Sequence, residues 1–204
     1  MDYYRDLITQ KSWQTLIKLQ QDYSLVLIGG WAIWLYSHQL KSKDIDFVVD
    51  LPTLSQLKER FTVTKNNRLH KYEIVQNDIQ VDIYVPFWSE IGLPCEEIIA
   101  ASQIREGFRV PLPEILLILK QVSQAARAGS VKGYKDLLDV ISLLRLPDFN
   151  WDRYRRLTHN ANPQLPQKLA DLLRQTVQVP ELSLNAHQFS RIKKTWLLNL
   201  ASFR

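Results

Sequence analysis

The stretch Leu25-Val26-Leu27-Ile28-Gly29-Gly30, running straight into Trp31 to Ser37, constrains this chain more than any other. The run from Ser24 to Ile28 is short and apolar, which is the pattern of a buried strand. The glycine pair ends it with a turn, and the following residues read as a helix of about two turns. A chain that passes so abruptly from buried strand to helix predicts a sheet with helices packed on it. Glycine has no Cβ, so the backbone at Gly29-Gly30 can turn tightly and approach a ligand closely. A helix N-terminus also presents unpaired N–H groups and a positive dipole end, which together suit phosphate. A glycine pair also serves plain packing, so the argument needs a second feature.

That feature is Asp44-Ile45-Asp46, in a run to Val49 that alternates and is rich in Ile, Val and Phe. In a strand, residues two apart share a face. Asp44 and Asp46 therefore stand together, while Ile45, Phe47 and Val49 point the other way. Like charges side by side are unfavourable unless something offsets them. Carboxylate oxygens suit Mg²⁺ or Mn²⁺, with substrate phosphates completing the shell. Asp82 lies in Gln80-Val81-Asp82-Ile83-Tyr84-Val85, where Gln80, Asp82 and Tyr84 share one face. If the two strands are neighbours, Asp82 joins Asp44 and Asp46. Three carboxylates can bridge two metal ions roughly 3.5–4 Å apart. One cation would activate an attacking hydroxyl, and the other would hold a triphosphate. Asp82 is the candidate to help the hydroxyl lose its proton.

The rest of the chain supplies the frame. Residues 3–21 carry apolar positions at helical spacing and predict one or two amphipathic helices. Leu51-Pro52-Thr53 stops the Asp44 strand, and Thr53, with Ser55 as second choice, is the expected N-cap of a helix to about Arg60. Phe61–Thr64, His70–Val75 and Ile79–Val85 read as strands, the last two joined by a two-residue hairpin at Asn77-Asp78. Residues 86–112 are mixed, with a short strand expected around Gly107–Val110. From Pro113 on, five segments show helical periodicity: 114–128, 134–144, 151–157, 166–177 and 186–200. The expected architecture is α+β: residues 1–111 form a mixed β-sheet core flanked by helices, and residues 112–204 a C-terminal helical bundle.

Composition excludes several alternatives. With 46% hydrophobic residues among 204, the chain can bury a core. No apolar run approaches the roughly 20 residues that span a bilayer, so no membrane partner is expected. The N-terminus does not read as a secretory signal. The single cysteine, Cys95, excludes an intrachain disulfide and a cysteine-based zinc site, which fits a cytoplasmic setting. A net charge of +5 permits a nucleotide or RNA partner without demanding one.

The order strand, Gly29-Gly30, helix, Asp44-Ile45-Asp46, later lone Asp82 resembles the nucleotidyltransferase superfamily with the polymerase-beta-like fold. It is most similar to the AbiEii-like branch and to small prokaryotic nucleotidyltransferases, over roughly residues 22 to 145. The resemblance implies transfer of a nucleoside monophosphate from an NTP to a hydroxyl, with pyrophosphate released. It implies Mg²⁺ or Mn²⁺ on Asp44, Asp46 and Asp82. Acceptors in that branch include RNA such as tRNA, protein and small molecules, and some members are toxins of toxin–antitoxin pairs. A partner toxin or antitoxin is therefore one expectation. The alternative is an inactive nucleotide- or RNA-binding regulatory module of the same fold.

One departure stands out. AbiEii-like relatives often carry Arg four residues before the first Asp and Thr two before it, where this chain has Leu40 and Ser42. Ser42 keeps the hydroxyl, and Lys41 and Lys43 stand near the lost cation. Gly29, Gly30, Ser42 and Lys43 are the expected nucleotide contacts on this side. On the same resemblance, Lys120 contacts phosphates from the helical half, and Asp136 orients Lys120 or Arg127, or touches the sugar. An ammonium is a compact charge suited to that task. Trp31 and Trp34 are expected in the core, His38 in a loop, Glu73 as a surface acid beside Lys71, and Cys95 buried. The basic residues Arg153, Arg155, Arg156, Arg191, Lys193 and Lys194 read as solvated helix faces.

Overall fold

The structure, a computed structural model, describes residues 2–203, with side chains from Asp6 onward. The chain divides into two compact units, Met1–Leu112 and Pro113–Arg204.

In the first unit, α1 (Asp2–Asp22) is one continuous helix, and β1 (Val26–Ile28) follows it. Helix α2 (Gly29–Ser37) begins on the glycine pair itself rather than at Trp31. Strand β2 spans Ile45–Val48, so Asp44 lies just ahead of the strand instead of within it. Helix α3 (Leu51–Arg60) is capped by Asp50, whose Oδ1 accepts from the Thr53 amide at 2.8 Å. The expected caps, Thr53 and Ser55, lie inside the helix. Asp50 wins because Pro52, which the sequence presents as a stop, is well tolerated in a first helical turn. β3 (Thr64–Asn66), β4 (Lys71–Gln76) and β5 (Ile79–Tyr84) complete the sheet. β3 starts where the expected strand at 61–64 would have ended, and Phe61 instead closes α3. Asn77 and Asp78 both have positive φ, 51° and 65°, as a type I′ hairpin turn requires.

The sheet order is β1-β2-β5-β4-β3, mixed, with only β2 and β5 parallel. One face carries Ile45, Phe47, Ile74, Val81 and Ile83, each at most 3% exposed. Helix α1 packs against β5, and its Ser12 hydroxyl accepts from the buried Trp31 indole at 2.8 Å. Trp13, Trp31 and Trp34 form a ring cluster with Phe108, centroids 4.9–5.6 Å apart. His38 ends α2 in a left-handed conformation. The mixed segment resolves into α4 (Cys95–Ala100) and a hairpin of β6 (Ser102–Arg105) with β7 (Phe108–Pro111). Burial pushes the Cys95 thiol up to about 12, so it stays protonated and inert.

The second unit is helical: α5 (Pro113–Ala126), α6 (Val131–Leu144), α7 (Trp151–Ala161), α8 (Leu165–Gln175) and α9 (Ala186–Ala201). Its core is tied by polar side chains as well as apolar ones. The fully buried Glu114 accepts from the Asn150 amide at 2.6 Å and from Arg153 at 3.2 Å, fixing the start of α7. Tyr154 donates to Gln121 at 2.7 Å, and Gln121 donates to the Leu165 carbonyl at 2.9 Å. Asn185 and Gln188 close a capping box at the head of α9. Arg153 and Lys193, which bonds the Thr176 carbonyl at 2.7 Å, are thus partly structural cations rather than wholly solvated ones.

Candidate active site

The register of the sheet builds one polar row. Ile28 faces Asp46, Asp46 faces Asp82, and Asp82 faces Glu73 across successive strands. Directly opposed residues share a face and lie close enough for their side chains to interact. Asp46, Asp82 and Glu73 therefore stand abreast on the face opposite the Phe47–Ile83 core. All three are half-buried. Bringing β2 and β5 together in parallel takes the whole excursion through α3, β3 and β4.

Gly29 is the structural counterpart of Asp46. Its φ is +67°, and a Cβ built there would overlap the Asp46 carboxylate. The glycine is therefore demanded twice, by its backbone conformation and by the carboxylate lying against it. Helix α2 begins at this point, and its N-cap, Ile28, offers no side chain to the first amides. Gly29→Ala is expected to lower stability by about 1–3 kcal/mol through left-handed strain, with the clash in addition. It should also displace Asp46. Denaturant unfolding read together with nucleotide binding checks this, and a variant matching the parent in both would show the close approach to be dispensable.

Asp44 lies beside the head of β2, half-buried, and its carbonyl accepts from the Ser42 hydroxyl at 2.9 Å. Ser42 is 4% exposed, so its side chain serves to shape the approach to β2. Lys43 is exposed.

Three residues that the sequence reading did not place in the site prove central to it. Lys71 is 8% exposed, with its ammonium 2.6 Å from Asp82 Oδ2 and 2.9 Å from Glu73 Oε1. Gln80 donates to Asp82 Oδ1 at 3.0 Å. Glu73 is not a plain surface acid: it also accepts from Asn66 at 3.1 Å. Burial works against the Lys71 charge, but hydrogen bonds and the charges of Asp82 and Glu73 outweigh it and hold its pKa above the ordinary lysine value. The Lys71 bond in turn holds the Glu73 carboxyl below its usual range, against a smaller opposing effect of burial. The signal for this was available in the hairpin. A two-residue turn at Asn77-Asp78 pairs Gln76 with Ile79, and counting back puts Glu73 opposite Asp82. Among the described residues, no group of three or more His, Cys, Asp or Glu is disposed to hold a metal ion.

The helical unit carries a separate ionic cluster. Asp136 and Asp139, three apart on α6 and each 1% exposed, face the Lys120 ammonium at 3.0 and 2.8 Å. Asp139 meets Lys120 through its Oδ2 alone. Arg127 grips Asp136 with two bonds, Nε at 2.6 Å and Nη2 at 2.9 Å. Burial opposes ionisation of Asp136, yet Arg127 and Lys120 together hold its pKa below the usual value. Gly133 lets the start of α6 lie against the Arg127 carbonyl, a place that a Cβ would fill.

No protein-family model matches the sequence, and no curated protein matches it. The fold does have solved counterparts. A Helicobacter pylori protein provisionally named a nucleotidyltransferase superposes with a TM-score of 0.52 at 18% identity, covering 97% of both chains. The H. pylori protein JHP933 gives the same score and identity, covering 97% of this chain and 94% of its own. The chain thus shares the α+β fold of these two proteins.

Proposed function

We propose that this protein is a metal-dependent nucleotidyltransferase that moves a nucleoside monophosphate from an NTP to a hydroxyl acceptor. The single observation that carries the reading is the pairing of Asp46 with Asp82 on adjacent parallel strands, with Gly29 packed against Asp46 at the head of α2. In the proposed reaction the acceptor hydroxyl oxygen bonds to the α-phosphorus. The bond from that phosphorus to the oxygen bridging toward the β-phosphate breaks. Pyrophosphate leaves, and the hydroxyl proton passes toward the Asp82 carboxylate.

The residues present suit the expected cation at Asp44 and Asp46. Both are hard oxygen donors, and the absent Cβ at Gly29 is what lets the Asp46 carboxylate lie at the foot of a helix N-terminus. When bound there, Mg²⁺ or Mn²⁺ supplies positive charge for the triphosphate and the departing pyrophosphate. The chain's own parts do the rest. Gly29 and Gly30 bring backbone N–H groups toward phosphate, and Lys43 offers an exposed cation ahead of β2. In the helical unit, Lys120 is held by Asp136 and Asp139.

One observation favours a second reading. Lys71 already neutralises much of the acid row, as a nucleotide- or RNA-binding module without turnover would permit. Incubation with each α-³²P-labelled NTP, Mg²⁺, and total cellular RNA or protein separates the two. Transfer of label to an RNA, protein or small-molecule fraction supports the enzyme and names the acceptor class, including any role in a toxin–antitoxin pair. NTP binding without transfer to any fraction supports the module.

A further inference from the structure

Each oxygen of Asp82 already accepts one hydrogen bond within the sheet. Oδ2 accepts from Lys71 at 2.6 Å and Oδ1 from Gln80 at 3.0 Å. A carboxylate that bridges two metal ions gives one oxygen to each. Here a buried ammonium and an amide bond those two oxygens, and the ammonium repels a cation on its side. The ammonium is not incidental to the sheet. Lys71 stands at the head of β4, its side chain is 10% exposed, and it is shared with Glu73, the residue opposite Asp82.

We infer that Lys71 is a positioning residue: with Gln80 it fixes Asp82 outside the metal shell as the carboxylate that orients the acceptor hydroxyl, leaving Asp44 and Asp46 to hold one divalent cation. The inference rests on the nucleotidyltransferase reading and departs from the arrangement in which three aspartates share two ions. A strongly hydrated cation demands oxygens it can approach directly. Approach to Asp82 Oδ2 would bring it against a like charge already within hydrogen-bond distance.

The test is a Mn²⁺ titration of the full chain without nucleotide, followed by electron paramagnetic resonance of free Mn²⁺. The wild-type chain should bind one ion, Asp46→Asn should weaken it by at least about tenfold, and Asp82→Asn should leave it within about twofold. Lys71→Met should release Asp82 and add a second bound ion, which the double variant Lys71→Met/Asp82→Asn loses again. Lys71→Arg should restore a single ion. Circular dichroism confirms that each variant is folded; should Lys71→Met fail to fold, the wild-type count and Asp82→Asn still decide. Two ions in the wild type, a tenfold loss in Asp82→Asn, or one ion in folded Lys71→Met would each overturn the inference alone. A wild type that binds no Mn²⁺ at millimolar concentration, or an Asp46→Asn that binds as well as the parent, would instead bring down the enzymatic reading beneath it.

Discussion

Asp46→Asn should reduce nucleotide transfer by about a thousandfold or more while leaving the fold intact. The size follows from what a bound cation supplies to phosphoryl transfer, several kcal/mol of charge stabilisation in the transition state. Asparagine keeps the shape of the side chain but removes its charge and replaces one of its two oxygens with an NH₂ group that cannot ligate a cation. Asp82→Asn should differ in kind. It breaks the ion pair with Lys71, leaves that buried ammonium leaning on Glu73 alone, and lowers the melting temperature along with activity. Initial rates of label transfer set beside thermal melts of both variants check the contrast. Transfer by Asp46→Asn within tenfold of wild type would sink the site as drawn.

How far this site could be read from the chain alone depends on the range of each interaction. The neighbours of Asp46 follow from local rules. Side-chain parity puts Ile45 and Phe47 in the core, and the apolar run before Gly29 has no other plausible state than a buried strand. The Asn77-Asp78 turn was legible because two left-handed residues are a specific demand that few sequences meet. Asp44 slipped out of the strand because alternation continues in sequence past the point where the ladder begins, and here the ladder begins at Ile45. β3 was misplaced because Thr64–Asn66 is a short, largely polar edge strand with no apolar pattern to mark it. Lys71 was missed for a different reason. It reaches Asp82 across eleven residues only because the hairpin register brings them diagonal to one another. Nothing in the composition of β4 separates a lysine aimed at a carboxylate from one aimed at water. A sequence shows which acids stand together more readily than it shows which cation has already claimed them.

The same principle gives the largest expected effect on stability, in the helical unit. Asp136→Ala should lower the unfolding free energy by about 3 kcal/mol, at the low end of what breaking a buried ion pair costs. The low end applies because Asp139 still faces Lys120 at 2.8 Å, and because Arg127 is 41% exposed and can turn its charge to water. Arg127→Ala should cost less, since Asp136 keeps Lys120 at 3.0 Å. A pH series adds an independent check. The folded pKa of Asp136 is depressed, so its contribution is fully present above the unfolded value near 3.8 and is lost as pH falls toward the lower folded value. Wild type should therefore lose stability through that acidic window more steeply than Asp136→Ala does. Denaturant midpoints measured for both chains from neutral pH to about pH 3 test this. Equal midpoints at neutral pH would mean that Lys120 and Arg127 gain nothing net from Asp136. Equally steep acid limbs would assign the acid loss to other carboxylates, the Lys71-bound Glu73 first among them, since its pKa is held down by the same kind of contact.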